Sequence, residues 1–526
     1  MRRAVAVALW LIAAWWSFST VILNNDHFGR ISPARQIAVY GELPFRDFFD
    51  PAYFLTEFSS AAMMRLFGDN LLGEAVLTST FIATGTVIVF LLATRAASST
   101  LAGLLAAILA LLTFPRAYDY DKVLFLPLGI LLCWRYVDRP SARRVVWLAA
   151  GLVSGALFRY DTGVYIGLAA VTTMAVTHAD DWRTLSRRLG TLIAAVALLS
   201  LPALVFLELN GGLATVIDQV VTYGRREAAR TALTSPPWFS TGDRASSANA
   251  LLYYLFRGLP LLAMGVLVAS LRARGVVTRA DAARLTGLVT MVVLLNLFIM
   301  RDPVSARFGG IAGPLAVLAA WLAGCATRPR SAPARVSLTA VVTVTLAATV
   351  WAVSVSADWQ RRLLWDYAEW EHLTSSIGSL SASPPPVEML EGKQFMELIR
   401  YLRECTSTHD RILATWFVPE LYFFAQRGFA GGIVAMFGEH WTEPRFEART
   451  LALMESQRAL MVISRAGDLD YRHSYPELAR YLDAHYRDAG TSDFGVPSEI
   501  RGYTILVRRD RQVSYVHQSS SLPCFW

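Results

Sequence analysis

The chain has 526 residues, of which 54% are hydrophobic and only 17% are charged. A soluble domain usually carries about a quarter charged residues, so this composition excludes a wholly soluble protein. The formal net charge of +8 comes almost entirely from arginine. These arginines lie mostly between apolar runs, a pattern that indicates membrane topology, and the sequence contains no nucleic-acid-binding motif.

Eleven apolar runs are candidates for membrane-spanning helices, for which about 20 residues are needed. The first run follows Met1-Arg2-Arg3 and is too long for the apolar part of a signal peptide, so we interpret it as a retained span. We therefore predict a multi-span α-helical membrane protein with about eleven transmembrane helices. The predicted spans are 4–24, 72–94, 99–115, 121–137, 144–158, 161–178, 189–209, 250–270, 285–300, 307–325 and 336–356.

The arginines also predict the orientation of the chain. With the N-terminus in the cytoplasm, every even-numbered connection between spans falls inside, and each of these is short and basic. The positive-inside rule therefore places the N-terminus in the cytoplasm and the long connections 25–71 and 210–249 outside the cytoplasmic (inner) membrane. Eleven spans put the C-terminal residues outside as well. Ten or twelve spans are the alternative, and a difference of one span reverses the side of these residues.

After a transmembrane domain at 1–356, residues 357–526 have the composition of a soluble domain. Helical and strand patterns alternate there, which is typical of a small α/β layer. No Gly-rich phosphate loop or catalytic triad is present, so we predict a lid or acceptor-docking role and no separate chemistry. The predicted helices are 394–404, 419–426 and 475–486, and the predicted strands are 411–416, 460–464 and 503–508.

The first outside connection, residues 25–71, carries the strongest catalytic candidate. Asp26 follows the first span directly, at the point where a helix leaves the membrane. Two amphipathic stretches, 31–40 and 52–67, are typical of helices that lie in the interface plane. A carboxylate at this position can act as a general base for an incoming hydroxyl. The alternative is a solvated aspartate, or one that caps the helix at 31–40.

Asp26 after the first span, the interfacial helix and the segment 41–53 (GELPFRDFFDPAY) together resemble the GT-C superfamily of membrane glycosyltransferases. The resemblance is to the bacterial branch related to protein mannosyltransferases and the aminoarabinose transferase of lipid A. It implies a GT-C-like fold, a polyprenyl-phosphate-linked sugar donor and Asp26 as the catalytic residue, with Asp47 as a supporting residue. The chain departs from the pattern at one position, because many relatives have an Asp-Glu pair where this chain has Asp26-His27.

Asp119 and Asp121 form an Asp-x-Asp pair in the second outside connection, at the start of the fourth span. Two carboxylates this close suit Mg²⁺ or Mn²⁺ held against a phosphate. Some GT-C oligosaccharyltransferases use such a pair for metal, whereas other members of the superfamily manage without one. The alternatives are support of the site without a metal, and a favourable position at a helix N-terminus.

Cationic residues near the predicted outer face are candidates for binding the donor phosphate. Arg159 and Asp161 lie at a depth where charges are costly and are usually functional or paired, so a structural pair between Arg159 and an aspartate is the alternative. Arg301 and Arg307 flank the start of the tenth span, and Lys122 follows the Asp-x-Asp pair. Guanidinium groups match phosphate oxygens in geometry.

The sequence therefore predicts an inverting glycosyltransferase that moves a sugar from a polyprenyl-phosphate donor to a lipid, glycan or protein acceptor at the outer face of the membrane. Asp26 would deprotonate the acceptor, and the arginines would stabilise the leaving phosphate. The rival interpretation is a membrane transporter or lipid flippase, which we disfavour because no internal repeat is found. A non-catalytic scaffold is the third interpretation.

Two of the four cysteines, Cys405 and Cys524, lie in the predicted extracytoplasmic domain. Disulfides form in such compartments. A bond between the two would tie the C-terminal tail to the domain, and two free thiols are the alternative.

Overall fold

The computed structural model describes residues 2–21, 23–113, 115–230, 236–272, 278–299, 304–326, 377–390, 395–437, 440–467, 470–495 and 502–525, and positions 340, 343, 344, 346–351 and 355. The chain divides into two compact units, both discontinuous in sequence. The first comprises Met1–Ile22, Val76–Pro202 and Thr231–Trp370, and the second Leu23–Ala75, Ala203–Arg230 and Glu371–Trp526. The predicted domain boundary at 356 falls outside the described residues.

Ten of the thirteen helices described up to residue 326 coincide with the first ten predicted spans, and α2, α3 and α10 lie in the two long connections. The helices are α1 (Arg2–Ser19), α2 (Asn25–Arg35), α3 (Phe54–Phe67), α4 (Leu72–Ala97), α5 (Thr100–Leu112), α6 (Tyr120–Asp138), α7 (Ala142–Phe158), α8 (Tyr160–Thr177), α9 (Trp182–Asn210), α10 (Leu213–Arg230), α11 (Arg244–Arg272), α12 (Arg279–Ile299) and α13 (Val304–Ala326).

The lengths of these helices support a multi-span membrane protein. Within the described residues, five helical segments are long and apolar enough to cross a membrane, namely Leu72–Ala97, Trp182–Asn210, Ser246–Val266, Arg279–Leu297 and Phe308–Cys325. Helix α7, by comparison, has 17 residues. The count of eleven stays a prediction, since the last candidate span, 336–356, lies largely outside the described residues.

In the first unit, a tight connection fixes one of the predicted site residues. Arg159 alone separates α7 from α8, and its backbone is extended, with φ −162° and ψ 119°. The two helices pack closely, because a Cβ added at Gly163 would lie only 2.5 Å from the Cβ of Ala156. Small residues permit such close approach between membrane helices. Arg159 is therefore held at the junction where α7 ends and α8 begins.

The second unit contains a five-stranded mixed sheet in the order β2-β1-β3-β5-β4. Strand β1 is parallel to β2 and β3, whereas β5 is antiparallel to β3 and β4. The helices and strands of the C-terminal region are α14 (Met396–Cys405), β1 (Arg411–Ala414), α15 (Pro419–Ala425), β2 (Gly428–Phe429), α16 (Pro444–Ser456), β3 (Met461–Arg465), α17 (Asp470–Ser474), α18 (Pro476–His485), β4 (Tyr486–Ser492), β5 (Tyr503–Arg508), β6 (Tyr515–Val516) and β7 (Pro523–Cys524).

The α/β prediction for the C-terminal region is confirmed, including its three strands and three helices within a few residues. Helices α16 and α17 and strands β2, β4, β6 and β7 were not predicted. Strand β2 has two residues, and β4 reads YRDAGTS with mostly half-buried or exposed positions. Neither carries the apolar alternation by which a half-buried strand is recognised.

Aromatic residues join the first connection to the C-terminal sheet within the second unit. Phe49 stacks on Trp441 with ring centroids 5.0 Å apart and belongs to a buried cluster that includes Leu413 and Val462. Phe28 of α2 contacts Phe423 of α15 at 5.6 Å. Burial of these side chains contributes roughly 2 kcal/mol each, so the connection and the C-terminal region form one core.

Of the two alternatives that the sequence left open for Cys405 and Cys524, the structure has the disulfide bond. The tail is held on both sides of the bond, because Phe525 N–H donates to Cys405 O at 2.9 Å and Tyr401 Oη donates to Pro523 O at 2.7 Å. The bond therefore fastens the C-terminal strand β7 beside α14.

Candidate functional site

Asp26 lies in the first turn of α2, a helix that begins earlier than the predicted amphipathic stretch at 31–40. The Asn24 side chain caps the helix by accepting from His27 N–H at 3.2 Å, and Asn25 Oδ1 accepts from Asp26 N–H at 2.8 Å. Asp26 is exposed. The helix N-terminus favours a carboxylate there, so Asp26 is both accessible and electrostatically stabilised. Its catalytic role stays a prediction.

A cleft of about 630 Å³ opens beside the first turn of α2, and we call it the α2–α15 cleft. Helix α15 packs on α2, because Ser32 Oγ donates to Pro419 O at 2.7 Å. The first turns of the two helices are thereby brought to the same cleft. Its walls are formed by Leu23, Asn24, Asn25, Phe28, Leu390, Phe395, Phe417, Glu420 and Arg465.

Glu420 is the carboxyl group of the α2–α15 cleft. It is only 8% exposed, and its Oε2 has no hydrogen-bond partner among the described residues. Burial, with a smaller contribution from the negative charge of Asp26, raises the pKa of Glu420 to about 7.

A buried carboxyl pair, Asp50 and Glu57, lies in the first connection. Asp50 accepts from Tyr53 N–H at 2.9 Å, and burial raises the pKa of Asp50 to about 7. Burial and the charge of Asp50 raise the pKa of Glu57 well above its usual range. The Arg30 guanidinium partly offsets both shifts and lies 4.2 Å from the centre of the Tyr53 ring.

Asp47, predicted as a supporting residue, stabilises the loop that contains it. Asp47 Oδ2 accepts from Leu43 N–H at 2.8 Å and from Arg46 Nε at 2.8 Å. The loop is also tied to α16, since Arg449 donates to Arg46 O at 2.8 Å. These contacts give Asp47 a structural role, while its support of catalysis stays a prediction.

In the first unit, four of the predicted site residues form one chain of ion pairs. Lys122 Nζ lies 2.9 Å from Asp119 Oδ1, and Arg159 Nη1 lies 3.7 Å from the same oxygen. Arg159 Nε also donates to Asp161 Oδ1 at 2.9 Å. The structural pair between Arg159 and an aspartate, which the sequence left as an alternative, is therefore present. Asp119 holds both cations on one side of its carboxylate, and Asp121, two positions on, is fully buried.

An apolar cavity lies within the first unit. It is lined by residues from 102–113 along α5, 252–262 of α11, 308–323 of α13, and Leu346 and Thr349. Only two threonines among its lining residues carry polar side-chain atoms. Gly310, between the lining residues Phe308 and Ala312, packs on Asp119, because an added Cβ would lie 2.9 Å from the Asp119 Cβ.

The ion pairs bear on the hypothesis of a divalent cation at Asp119 and Asp121. Among the described residues, no group of three or more His, Cys, Asp or Glu side chains is arranged to hold a metal ion. Asp119 Oδ1 is already paired with two cationic groups, Lys122 Nζ at 2.9 Å and Arg159 Nη1 at 3.7 Å. The residues in place therefore fit an ammonium–carboxylate pair better than a metal site, and the metal hypothesis stays a prediction.

Two predicted phosphate-binding arginines cannot be located in the site. Arg301 lies outside the described residues, and Arg307 belongs to α13 with a side chain that is likewise outside them. Their role stays a prediction.

Sequence reasoning missed the polar residues of the second unit, namely Glu420, Arg465, Asp50 and Glu57. Glu420 follows Pro419 at a predicted helix start, where an acidic residue is ordinary. Asp50 lies within the aromatic motif at 41–53 and Glu57 follows it, and only their burial distinguishes them. No local signal in the sequence identifies these four residues.

Comparisons with known proteins bear on the fold. Neither a scan against protein-family models nor a search of curated proteins finds a match. Among solved structures, the chain is similar to ArnT from Cupriavidus metallidurans bound to undecaprenyl phosphate, with 13% identity, 96% of this chain and 97% of that chain covered, and a TM-score of 0.50. Archaeal oligosaccharyltransferase AglB from Archaeoglobus fulgidus, in complex with an inhibitory peptide and a dolichol-phosphate, aligns over 99% of this chain and 76% of that chain at 12% identity and a TM-score of 0.49.

The likeness to ArnT is one of fold, and it agrees with the fold that the sequence resemblance predicted. A fold of this kind does not by itself define an activity, which has to be argued from the sites.

Proposed function

We propose that this chain is a membrane glycosyltransferase that transfers a sugar, with inversion, from a polyprenyl-phosphate donor to an acceptor at the outer face of the cytoplasmic membrane. The observation that carries the proposal is that the first unit contains both an apolar cavity and the buried ion pairs of Asp119 with Lys122 and Arg159. A lipid phosphate has the same two parts, a long apolar chain and an anionic head group. The GT-C fold supports the proposal.

The first unit would bind the donor. The isoprenoid chain would occupy the cavity, where each buried methylene contributes about 0.8 kcal/mol. The phosphate would be contacted by Lys122 and Arg159, whose side chains are 3% and 11% exposed. Because Asp119 already orients both cations, they would need little rearrangement to meet the phosphate, and charge-assisted hydrogen bonds would stabilise it as a leaving group.

The second unit would supply the base. Asp26 would take the proton from the acceptor hydroxyl, and the acceptor oxygen would attack the anomeric carbon of the donor sugar. The bond between that carbon and the phosphate oxygen breaks, and polyprenyl phosphate leaves with the bonding electron pair. A single displacement of this kind inverts the configuration at the anomeric carbon.

A comparison of cell-envelope glycans and lipids tests the activity. Cells that lack the chain are complemented with the wild type, with Asp26→Asn, or with Asp493→Asn, which changes an exposed aspartate elsewhere in the second unit. We expect the wild type and Asp493→Asn to restore a missing sugar modification and Asp26→Asn to be inactive at normal protein levels. Full restoration by Asp26→Asn would remove Asp26 as the base.

Donor binding is tested separately by native mass spectrometry of the purified protein with undecaprenyl phosphate. Arg159→Ala is expected to lower lipid occupancy, and Arg159→Lys to restore it only in part, because lysine keeps the charge but loses the planar fork. Arg95→Ala is the matched control, since Arg95 also pairs with an aspartate, Asp138, in the first unit. Equal occupancy in Arg159→Ala and wild type would place the phosphate elsewhere.

A further inference from the structure

We infer that the α2–α15 cleft is the acceptor site and that it takes an acidic saccharide, a polyhydroxylated ring with an anionic substituent, bound through Asn24, Asn25, Glu420 and Arg465. This inference rests on the proposed function only in naming the ligand as the acceptor. The site itself is argued from the groups that line the cleft.

The hydrogen-bonding groups of the cleft are mainly donors. The side-chain oxygens of Asn24 and Asn25 accept from the backbone of α2, at 3.2 Å and 2.8 Å. Their two NH₂ groups keep their donors and have no hydrogen-bond partner among the described residues. A ligand that satisfies them must present several oxygen acceptors, as a saccharide does.

Arg465 makes the cleft selective for an anion. Its side chain is exposed and lines the cleft, and it forms no ion pair or hydrogen bond within the described part of the chain. The guanidinium carbon lies 5.5 Å from the centre of the Trp416 ring, a cation–π contact that steadies it. Trp416 is itself stacked on Tyr503, with centroids 5.3 Å apart. An oriented guanidinium group without a carboxylate partner suits a phosphate or carboxylate.

Glu420 supplies a further polar contact. Its Oε2 is buried at the wall of the cleft without a hydrogen-bond partner among the described residues. Leaving such a group unsatisfied is unfavourable, and a ligand hydroxyl that donates to it would remove this cost. Phe28, Phe395 and Phe417 form the apolar part of the wall, against which the C–H face of a sugar ring can pack.

Two features assign the cleft to the acceptor. Asn24 and Asn25 immediately precede Asp26, so a ligand on their amides lies at the helix turn that carries the proposed base. The cleft also contains four polar residues among its nine lining residues, whereas a polyprenyl chain requires a long apolar wall. The donor lipid is thereby a poor match for this cleft.

Ligand-detected saturation-transfer NMR tests the inference with the full chain in nanodiscs of phosphatidylcholine. The probes are glucose 6-phosphate and glucose. We expect glucose 6-phosphate to bind the wild type at least about tenfold more tightly than glucose, the factor expected for one charge-assisted hydrogen bond. Arg465→Gln is expected to abolish this preference, and Arg465→Lys to retain part of it.

Arg487→Gln is the matched control, because Arg487 is an exposed arginine on β4 of the same sheet and does not line the cleft. It should bind glucose 6-phosphate as the wild type does. Equal affinity of the wild type and Arg465→Gln for glucose 6-phosphate would overturn the inference, as would equal affinity of the wild type for the phosphorylated and neutral sugars.

A second arm separates a lipid-borne acidic saccharide from a soluble one. Phosphatidylinositol, which carries a phosphate and a polyhydroxylated ring on a lipid, is added to the nanodisc. Displacement of glucose 6-phosphate indicates a lipid-borne acceptor, and absence of displacement a soluble one. Either result leaves the site assigned to an acidic saccharide.

The binding assay does not require turnover, so the two proposals fail separately. If Asp26→Asn restores the sugar modification in cells while glucose 6-phosphate still binds through Arg465, the proposed function fails and the site stands. If transfer depends on Asp26 but Arg465→Gln binds the probe normally, the acceptor site fails and the transferase stands.

Discussion

His27 Nε2 lies 2.7 Å from Glu74 Oε1, with the two side chains 1% and 3% exposed. The pair joins the first turn of α2 to the first turn of α4, 47 positions apart in sequence. His27 follows Asp26 directly, at the position where the chain departs from the Asp-Glu pattern of many GT-C relatives. The histidine therefore anchors the helix that presents Asp26 and is not itself presented to a substrate.

The first prediction concerns this pair. His27→Ala and Glu74→Ala are each expected to lower the free energy of unfolding by roughly 3 kcal/mol, because each change removes one member of a buried polar pair. The double variant should lose less free energy of unfolding than the two single variants lose together, since either change alone removes the shared contact. Unfolding in detergent measures all three, with the exposed His409→Ala as control. Strictly additive losses would show that the two side chains do not stabilise one another.

The second prediction concerns Gly310. An added Cβ would lie within 2.9–3.1 Å of three side-chain atoms of Asp119, so Asp119 or the helix backbone must shift in Gly310→Ala. We expect this shift to disturb the pairing of Asp119 with Lys122 and Arg159. We expect occupancy by undecaprenyl phosphate to fall by about tenfold, as for one lost charge-assisted contact. Gly258→Ala is the control, because a Cβ there would meet no atom within 4 Å. Equal lipid binding by both variants would argue against Asp119 as the residue that orients the cations.

The third prediction concerns metal. Lys122 already neutralises Asp119 at 2.9 Å, so we expect transfer to continue in the presence of a chelator. The measurement is turnover with and without EDTA, followed by addition of Mg²⁺ or Mn²⁺. Loss of activity that either ion reverses would restore the metal role of Asp119 and Asp121.

The fourth prediction concerns the pH dependence of stability. Burial raises the pKa of Asp50 from 3.8 to about 7. Between these values the unfolded chain has released the proton and the folded chain retains it, so unfolding releases a proton and stability falls as pH rises. The fall ends above about pH 7, where both states are ionised. The total decrease in the free energy of unfolding over this pH range is at most about 4 kcal/mol.

Asp50→Asn removes this titration while keeping an oxygen that can accept from Tyr53 N–H. Its stability should therefore decline less than that of the wild type between pH 4 and pH 7, as measured by unfolding at a series of pH values. Asp493→Asn, at an exposed position, should follow the wild type. Parallel curves for Asp50→Asn and wild type would refute the raised pKa.

The fifth prediction concerns the disulfide. Cys405 and Cys524 are 119 positions apart, so their bond restricts a long segment of the unfolded chain. In the chain-entropy model a loop of this length is worth up to about 4–5 kcal/mol, and Cys524→Ser should lower the free energy of unfolding by up to this amount. Cys133→Ser, at a buried free thiol, controls for loss of a sulfur atom. An unchanged midpoint in Cys524→Ser under non-reducing conditions would contradict the prediction.

The sequence by itself determined the features that depend on local pattern. Apolar runs of sufficient length predicted ten helices that the structure contains, because a helix in a bilayer must satisfy its backbone hydrogen bonds internally and present apolar side chains along its whole length. The same local reasoning located Asp26 after the first span and the α/β pattern of the C-terminal region. The family resemblance, drawn from the segment 41–53, predicted the fold.

Only the tertiary structure decided which distant residues share a site. Ser32 and Pro419 are hydrogen-bonded although they lie 387 positions apart, and this contact brings Glu420 and Arg465 to the cleft beside Asp26. Asp50 and Glu57 are likewise ordinary acidic residues in sequence, and their raised pKa values come from burial by segments far along the chain. Burial and electrostatic coupling depend on the packing around a group, which hydropathy and spacing along the chain do not specify.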